Sequence, residues 1–156
     1  MIIRAVRDED WPRIGQLCEL LVEQHHAWDA KRFIPVEQLR GDAYTSRVRA
    51  EIAHGRATVL VADLDGSIAG YVFTSVEAWN WKELRPEAGY VHDMVVDAAQ
   101  RRHGVGTALL KAVIDWLGAR NITRVVLWTA PQNVEAQRVF GRFGFRTTMM
   151  EMTREG

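Results

Sequence analysis

The stretch from Gly89 to Leu117, GYVHDMVVDAAQRRHGVGTALLKAVIDWL, runs three local signals together without a gap. Tyr90 to Val96 is an apolar run with β-branched residues that reads as a buried strand, interrupted by the polar residues His92 and Asp93. Arg101-Arg102-His103-Gly104-Val105-Gly106 then makes a basic turn punctuated by glycine. From Val105 onward, Leu109, Ala112, Val113, Trp116 and Leu117 recur at helical spacing. A strand that passes through a glycine turn directly into a helix points to an α/β chain.

Such a turn has a definite physical capacity. The first N–H groups of a helix lack partners within it, and the aligned peptide dipoles leave that end partly positive, so main-chain donors can hold an anion there. Gly104 and Gly106 have no Cβ and let a ligand touch the backbone, while Arg101, Arg102 and His103 add side-chain donors suited to phosphate oxygens. The turn reads as a pyrophosphate cradle. A dinucleotide fingerprint needs a third glycine where Leu109 stands, and a P-loop needs Gly-Lys-Ser/Thr, which the chain lacks.

At 156 residues the chain has room for one well-cored domain, residues 1–156, and is too short for two ordinary ones. Lys plus Arg number 20 and Asp plus Glu number 20, so no global field draws it to nucleic acid or to a membrane surface. A small molecule is the expected partner. Cys18, the single cysteine, excludes an internal disulfide and agrees with a reducing interior. No apolar run is long enough to span a bilayer and the start lacks signal-peptide grammar, so the expected location is cytoplasmic.

In chain order, Ile2 to Val6 reads as a first strand, followed by a helix with Pro12 in its first turn and with Ile14, Leu17, Cys18, Leu21 and Val22 on one face. That face makes Cys18 a core residue. His25 to Pro35 reads as a connection to a second helix over residues 36–54. His25 and His26 are adjacent and so do not face each other on a helix, and no Cys or His partner stands at ligand spacing, so no metal is expected. Thr58 to Ala62 and Ser67 to Val76 read as a hairpin turning at Asp65-Gly66. Trp79 and Trp81 sit in the following connection, as packing, as a subunit contact, or as an aromatic wall for a cation, an attraction of about 0.5 to 2 kcal/mol. After the cradle helix come a strand at Arg124 to Trp128, a helix with Ala136, Val139, Phe140 and Phe143 on one face, and a last strand near Arg146 to Met152.

Two motifs carry a resemblance. Arg101-Arg102-His103-Gly104-Val105-Gly106 is similar to the Arg/Gln-x-x-Gly-x-Gly/Ala signature of the GCN5-related N-acetyltransferase (GNAT) family. Asn133-Val134-Glu135-Ala136-Gln137-Arg138-Val139-Phe140-Gly141-Arg142-Phe143-Gly144-Phe145 resembles the family's Asn-x-x-Ala-x-x-x-Tyr-x-x-x-Gly-Phe signature, with phenylalanine at position 140. The resemblance covers Ile2 to Met152 and implies the GNAT fold, an α/β architecture with a mixed central β-sheet flanked by α-helices.

It also implies a function and a set of sites. The implied activity is acetyl-CoA-dependent transfer of an acetyl group to a primary amine of a small molecule, by direct attack and without a metal. An amine of pKa about 10.4 is protonated at neutral pH, so a base must take its proton. His92 is the first candidate, with Asp93 and Glu77 as alternatives, and strand alternation sends His92 and Asp93 to opposite faces. The resemblance places the main chain of Met94, Val95 and Val96 along the pantetheine and the acetyl carbonyl. Arg101 to Thr107, with the amides of Arg102, His103, Gly104, Val105, Gly106 and Thr107, would then hold the pyrophosphate, and Asn133 the pantetheine. Arg138 and Arg142 are read either as nucleotide-phosphate ligands or as solvated side chains. Phe140 stands where the family has its acid tyrosine, with Tyr71 or Tyr90 as possible substitutes. The acceptor pocket would draw on His25, Trp28, Glu77, Trp79 and Trp81. The rival readings are a non-catalytic acyl-CoA sensor and an N-acetyltransferase of proteins or peptides; a homodimer is common among such domains.

Overall fold

The β2–β3 hairpin shows how local chemistry builds the sheet. In the computed structural model, which describes residues 1–155, strands β2 (Ala57–Leu64) and β3 (Ser67–Glu77) turn at Asp65 and Gly66. Both turn residues have positive φ, 52° and 90°, the twist that matches antiparallel strands. Asp63 tightens the turn by accepting the Gly66 N–H at 2.7 Å. Strand β1 (Ile2–Ala5) pairs with β2, and β4 (Ala88–Val96) with β3, both antiparallel. The short strand β5 (Val125–Leu127) adds to β4 in parallel and gives a mixed sheet of order β1-β2-β3-β4-β5.

Helices cover both faces. Helix α1 (Trp11–Trp28) and helix α2 (Gly41–Ala53) bury Ile14, Leu17, Cys18 and Val48 against Val59, Val61, Tyr71, Phe73 and Val95. Helix α3 (Val105–Gly118) buries Leu109, Val113 and Leu117 on the other face, against Leu60, Val72 and Val91. Each fully buried leucine or valine of this kind contributes about 1.5–3 kcal/mol of transfer free energy. Helix α4 (Val134–Arg142) follows β5.

Three expectations change. Helix α1 continues through the two histidines to Trp28, because the Nδ1 atoms of His25 and His26 find carbonyl partners, Leu21 O and Phe33 O, both at 2.8 Å. The second helix starts at Gly41 after a separate 3-10 turn, Val36–Gln38. The last strand near 146–152 is absent: those residues have no regular structure, and Met149, Met150 and Met152 lie 78–91% exposed. A strand needs a neighbour to take its main-chain groups, and β-propensity alone supplies none.

Candidate active site

Strand β4 departs from regular pairing at one residue. Phe73 lies opposite Asp93 and Thr74 opposite Val91, so His92 is an extra residue with no partner of its own on β3. A bulge of this kind interrupts the alternation of side chains. His92 stacks on Phe73, with ring centroids 4.5 Å apart, and shares a hydrogen bond of 2.7 Å with Ser75 Oγ through Nε2. Asp93 accepts the hydroxyl of Tyr44 from α2. Both side chains therefore face α1 and α2, which corrects the expectation of opposite faces.

The surroundings of His92 set its proton affinity. Burial pulls its pKa below the ordinary 6.5, opposed by the nearby carboxylates of Glu77, Asp93 and Glu51. Its Nδ1 has no partner among the described residues and is not sealed from solvent. Glu77 Oε1 stands 3.8 Å from Nε2. The other Glu77 oxygen accepts from Arg85, whose guanidinium is 7% exposed, also bonds Glu83, and lies 5.6 Å from the centre of the Tyr90 ring. The strand, the hairpin partner and the intervening loop thus converge on one imidazole.

Asp93 sits deeper in the same face. Burial pushes its carboxyl above the ordinary range, and the Tyr44 hydrogen bond acts against that rise. Tyr71 Oη reaches Tyr44 Oη at 3.4 Å and is itself fully buried. Burial, with the nearby Asp93 charge, pushes the Cys18 thiol up to about 12, in keeping with a core residue. Leu21, Val22 and His25 of α1, Phe33 and Ile34 of the loop that follows, and Asp93 line a cleft of about 190 Å³. His25 meets the rings of Trp28 and Phe33 edge-on, each at 4.9 Å.

Beyond His92, β4 and β5 part. Their pairing is confined to Gly89–Val91 and Val125–Leu127, so β4 from 92 to 96 has β3 on one side and an open edge on the other. At the end of that edge, Asp97 pairs with Arg13 of α1 and caps a short turn, and the chain enters α3. Arg102 and Gly104 have positive φ, 65° and 80°. No side chain caps α3, and among the described residues no acceptor takes the N–H groups of residues 102–107. Arg101, Arg102 and His103 are exposed. A Cβ at Gly104 would meet nothing within 4 Å, and one at Gly106 only Val96 and Met94 side-chain atoms at 3.7 and 4.0 Å. Unpaired amides, open space at Gly104 and two exposed arginines could hold an anionic group such as a diphosphate.

The remaining predicted residues spread more widely. Asn133 caps α4, its side-chain oxygen accepting the Ala136 N–H at 3.4 Å. Phe140 is buried, 5.9 Å from Phe145 between ring centroids. Arg138 and Arg142 are exposed. Tyr90 is half-buried and burial pushes its hydroxyl up to about 12. Trp79 and Trp81 stack edge to face at 4.5 Å, are 57% and 75% exposed, and do not line the cleft beside His25. Among the described residues no three His, Cys, Asp or Glu side chains gather at metal-ligand spacing. Sequence reasoning missed Ser75, Tyr44 and Arg85 as neighbours of the site. Tyr44 alone had a usable signal, its helical spacing with Val48 and Ile52.

Known proteins supply an independent comparison. A mycothiol acetyltransferase from Acidimicrobium ferrooxidans is 30% identical over 89 residues, 57% of this chain and 28% of that protein. An N-alpha-acetyltransferase from Sulfurisphaera tokodaii is 30% identical over 96 residues, 58% of this chain and 57% of that protein. The matches thus span about a quarter to somewhat over half the length of these relatives. In structure, a tetramutant of a Bacillus halodurans protein superposes with a TM-score of 0.83 at 23% identity, covering 99% of both chains. Residues 14–145 match the model of the acetyltransferase (GNAT) family, and the chain belongs to that family.

Proposed function

We propose that the chain is an acetyl-CoA-dependent N-acetyltransferase acting on the primary amine of a small molecule. The observation that carries this reading is the bulge at His92, which leaves an imidazole nitrogen without a protein partner, in the strand whose open edge leads to the unpaired amides of α3. The amides of residues 102–107 would hold the diphosphate and the main chain of residues 94–96 the pantetheine, with one β4 N–H left for the carbonyl oxygen. The bound thioester supplies an activated acetyl group.

The residues of the chain do the rest. His92 Nδ1 takes the proton of the acceptor ammonium, which frees the nitrogen lone pair. Ser75 holds the ring through Nε2, and Glu77 faces the cation that forms. Arg85 keeps Glu77 in place by donating Nη2–H to it while its Nε–H is anchored on Glu83. Phe140 offers no proton to the departing sulfur; a thiol of pKa about 8.5 leaves as a tolerable anion and takes up, directly or through water, the proton that the attacking nitrogen sheds as the amide forms.

Phe140 also motivates a second reading, a sensor that binds acyl-CoA without turnover. Incubation with acetyl-CoA and an amine panel, following free thiol, separates the two. Thiol release that requires both amine and His92 supports the enzyme, and binding without release across the panel supports the sensor.

A further inference from the structure

The cleft beside Asp93 has a composition that restricts what can enter it. Leu21, Val22, Phe33 and Ile34 make apolar walls, His25 offers a ring edge, and Asp93 is the one carboxylate. Among the described residues Asp93 has no Lys or Arg partner. Tyr44 satisfies one of its oxygens; the other has no protein partner and stays open. A half-buried carboxylate with no counter-ion is costly, and a ligand cation removes that cost. The bulge at His92 places this carboxylate on the same face as the free Nδ1, in the adjacent residue.

Resting on the proposed transferase reading, we infer that the acceptor is a compact apolar monoamine, its ammonium held by Asp93 and its hydrocarbon body packed against Leu21, Val22, Phe33 and Ile34. A second ammonium would lie against four apolar side chains and lose its hydration unpaired. A carboxylate next to the amine, as in a free amino acid, would meet Asp93 at like charge. A polyhydroxylated amine would leave hydroxyls without partners along the walls. Burial raises the Asp93 carboxyl, and an incoming ammonium draws it back to the ionised form.

The test measures binding separately from turnover. Isothermal titration of the full chain with CoA present compares isoamylamine and phenethylamine with putrescine, leucine, isoamyl alcohol and a leucine-headed dipeptide amide. The two apolar monoamines should bind about tenfold or more tightly than each of the others. Asp93→Asn, which keeps an acceptor for Tyr44, should weaken isoamylamine by about tenfold or more while CoA uptake persists. Ile34→Lys, at a position 46% exposed and so tolerant of change, should weaken it by a similar factor. Unchanged amine affinity in Asp93→Asn or Ile34→Lys, or tighter binding of putrescine or the dipeptide, overturns the assignment. Amine binding that depends on Asp93 without any acetyl transfer would remove the enzymatic reading and leave the cleft. Transfer to amines that Asp93→Asn binds as well as the parent chain would do the reverse.

Discussion

Gly15 and Gly41 lie back to back where α1 meets α2: a Cβ on Gly41 would sit 2.5 Å from the carbonyl oxygen of Gly15. This contact lets α2 bring Tyr44 down onto Asp93 and holds α1 where His25 reaches the cleft. Ala at position 41 would gain up to about 1 kcal/mol in helix propensity, but the neighbour it strikes is backbone and cannot swing away. Gly41→Ala should therefore lose about 1–3 kcal/mol of stability in denaturant unfolding. Gly118→Ala, with nothing within 4 Å of the added carbon, should be neutral or gain a few tenths.

Replacing His92 tests the base. His92→Gln keeps a polar partner for Ser75 and should lower kcat/KM by about 10²–10⁴. Because burial holds the His92 pKa below 6.5, the acid limb of the kcat/KM profile should fall below that pH and vanish in the variant. Stability follows the same sign. The unfolded chain binds the His92 proton more readily than the folded one, so this contribution is complete above about pH 6.5 and is lost as pH falls through the folded value. Thermal unfolding at pH 7 and pH 5 should show a smaller acid loss in His92→Gln.

Gly106→Asp tests the mouth of α3. A Cβ there meets only ordinary contacts and an acidic side chain suits the first turn of a helix, so the melting temperature should hold. The added carboxylate would face the same amides as the phosphates, so coenzyme A binding should weaken by about tenfold or more, while Gly106→Ala, which the Gly/Ala signature accepts, should bind it nearly as the parent chain does. Equal affinity of Gly106→Asp by calorimetry would place the nucleotide elsewhere.

Arg85 joins two carboxylates beneath Tyr90. Arg85→Gln should cost about 1–3 kcal/mol by leaving these partners unpaired, and should also lower kcat by loosening Glu77 against His92. Lys supplies one compact charge in place of a planar fork, so Arg85→Lys should recover stability only in part.

Much of this arrangement was legible in the residues, and the exceptions have identifiable causes. Asp65-Gly66 announces its turn because only residues tolerant of positive φ serve there. The glycine turn into α3 is readable because glycine, arginine and the onset of a helical period coincide at residues 101–109. The bulge at His92 carried no such mark: β4 has neither glycine nor proline there, and the extra residue appears only once β3 is paired beside it. Tyr44 shares a helical spacing with Val48 and Ile52, but its meeting with Asp93, like that of Arg85 with Glu77, is a tertiary contact that no local period encodes. The run 146–152 misled because its threonines and methionines suit a strand, while the sheet offered it no neighbour.

Only three residues of β5 hold β4, and this has a consequence for ligand-linked order. A pantetheine arm lying along positions 94–96 would act as a missing sixth ribbon, taking up main-chain groups that otherwise exchange with water. Deuterium uptake at Met94 and Val96, whose N–H groups alternate away from β3, should then slow sharply once the reactant is added, while Val59 and Val61 in the middle of the sheet stay unchanged. The sheet would be completed by its own reactant.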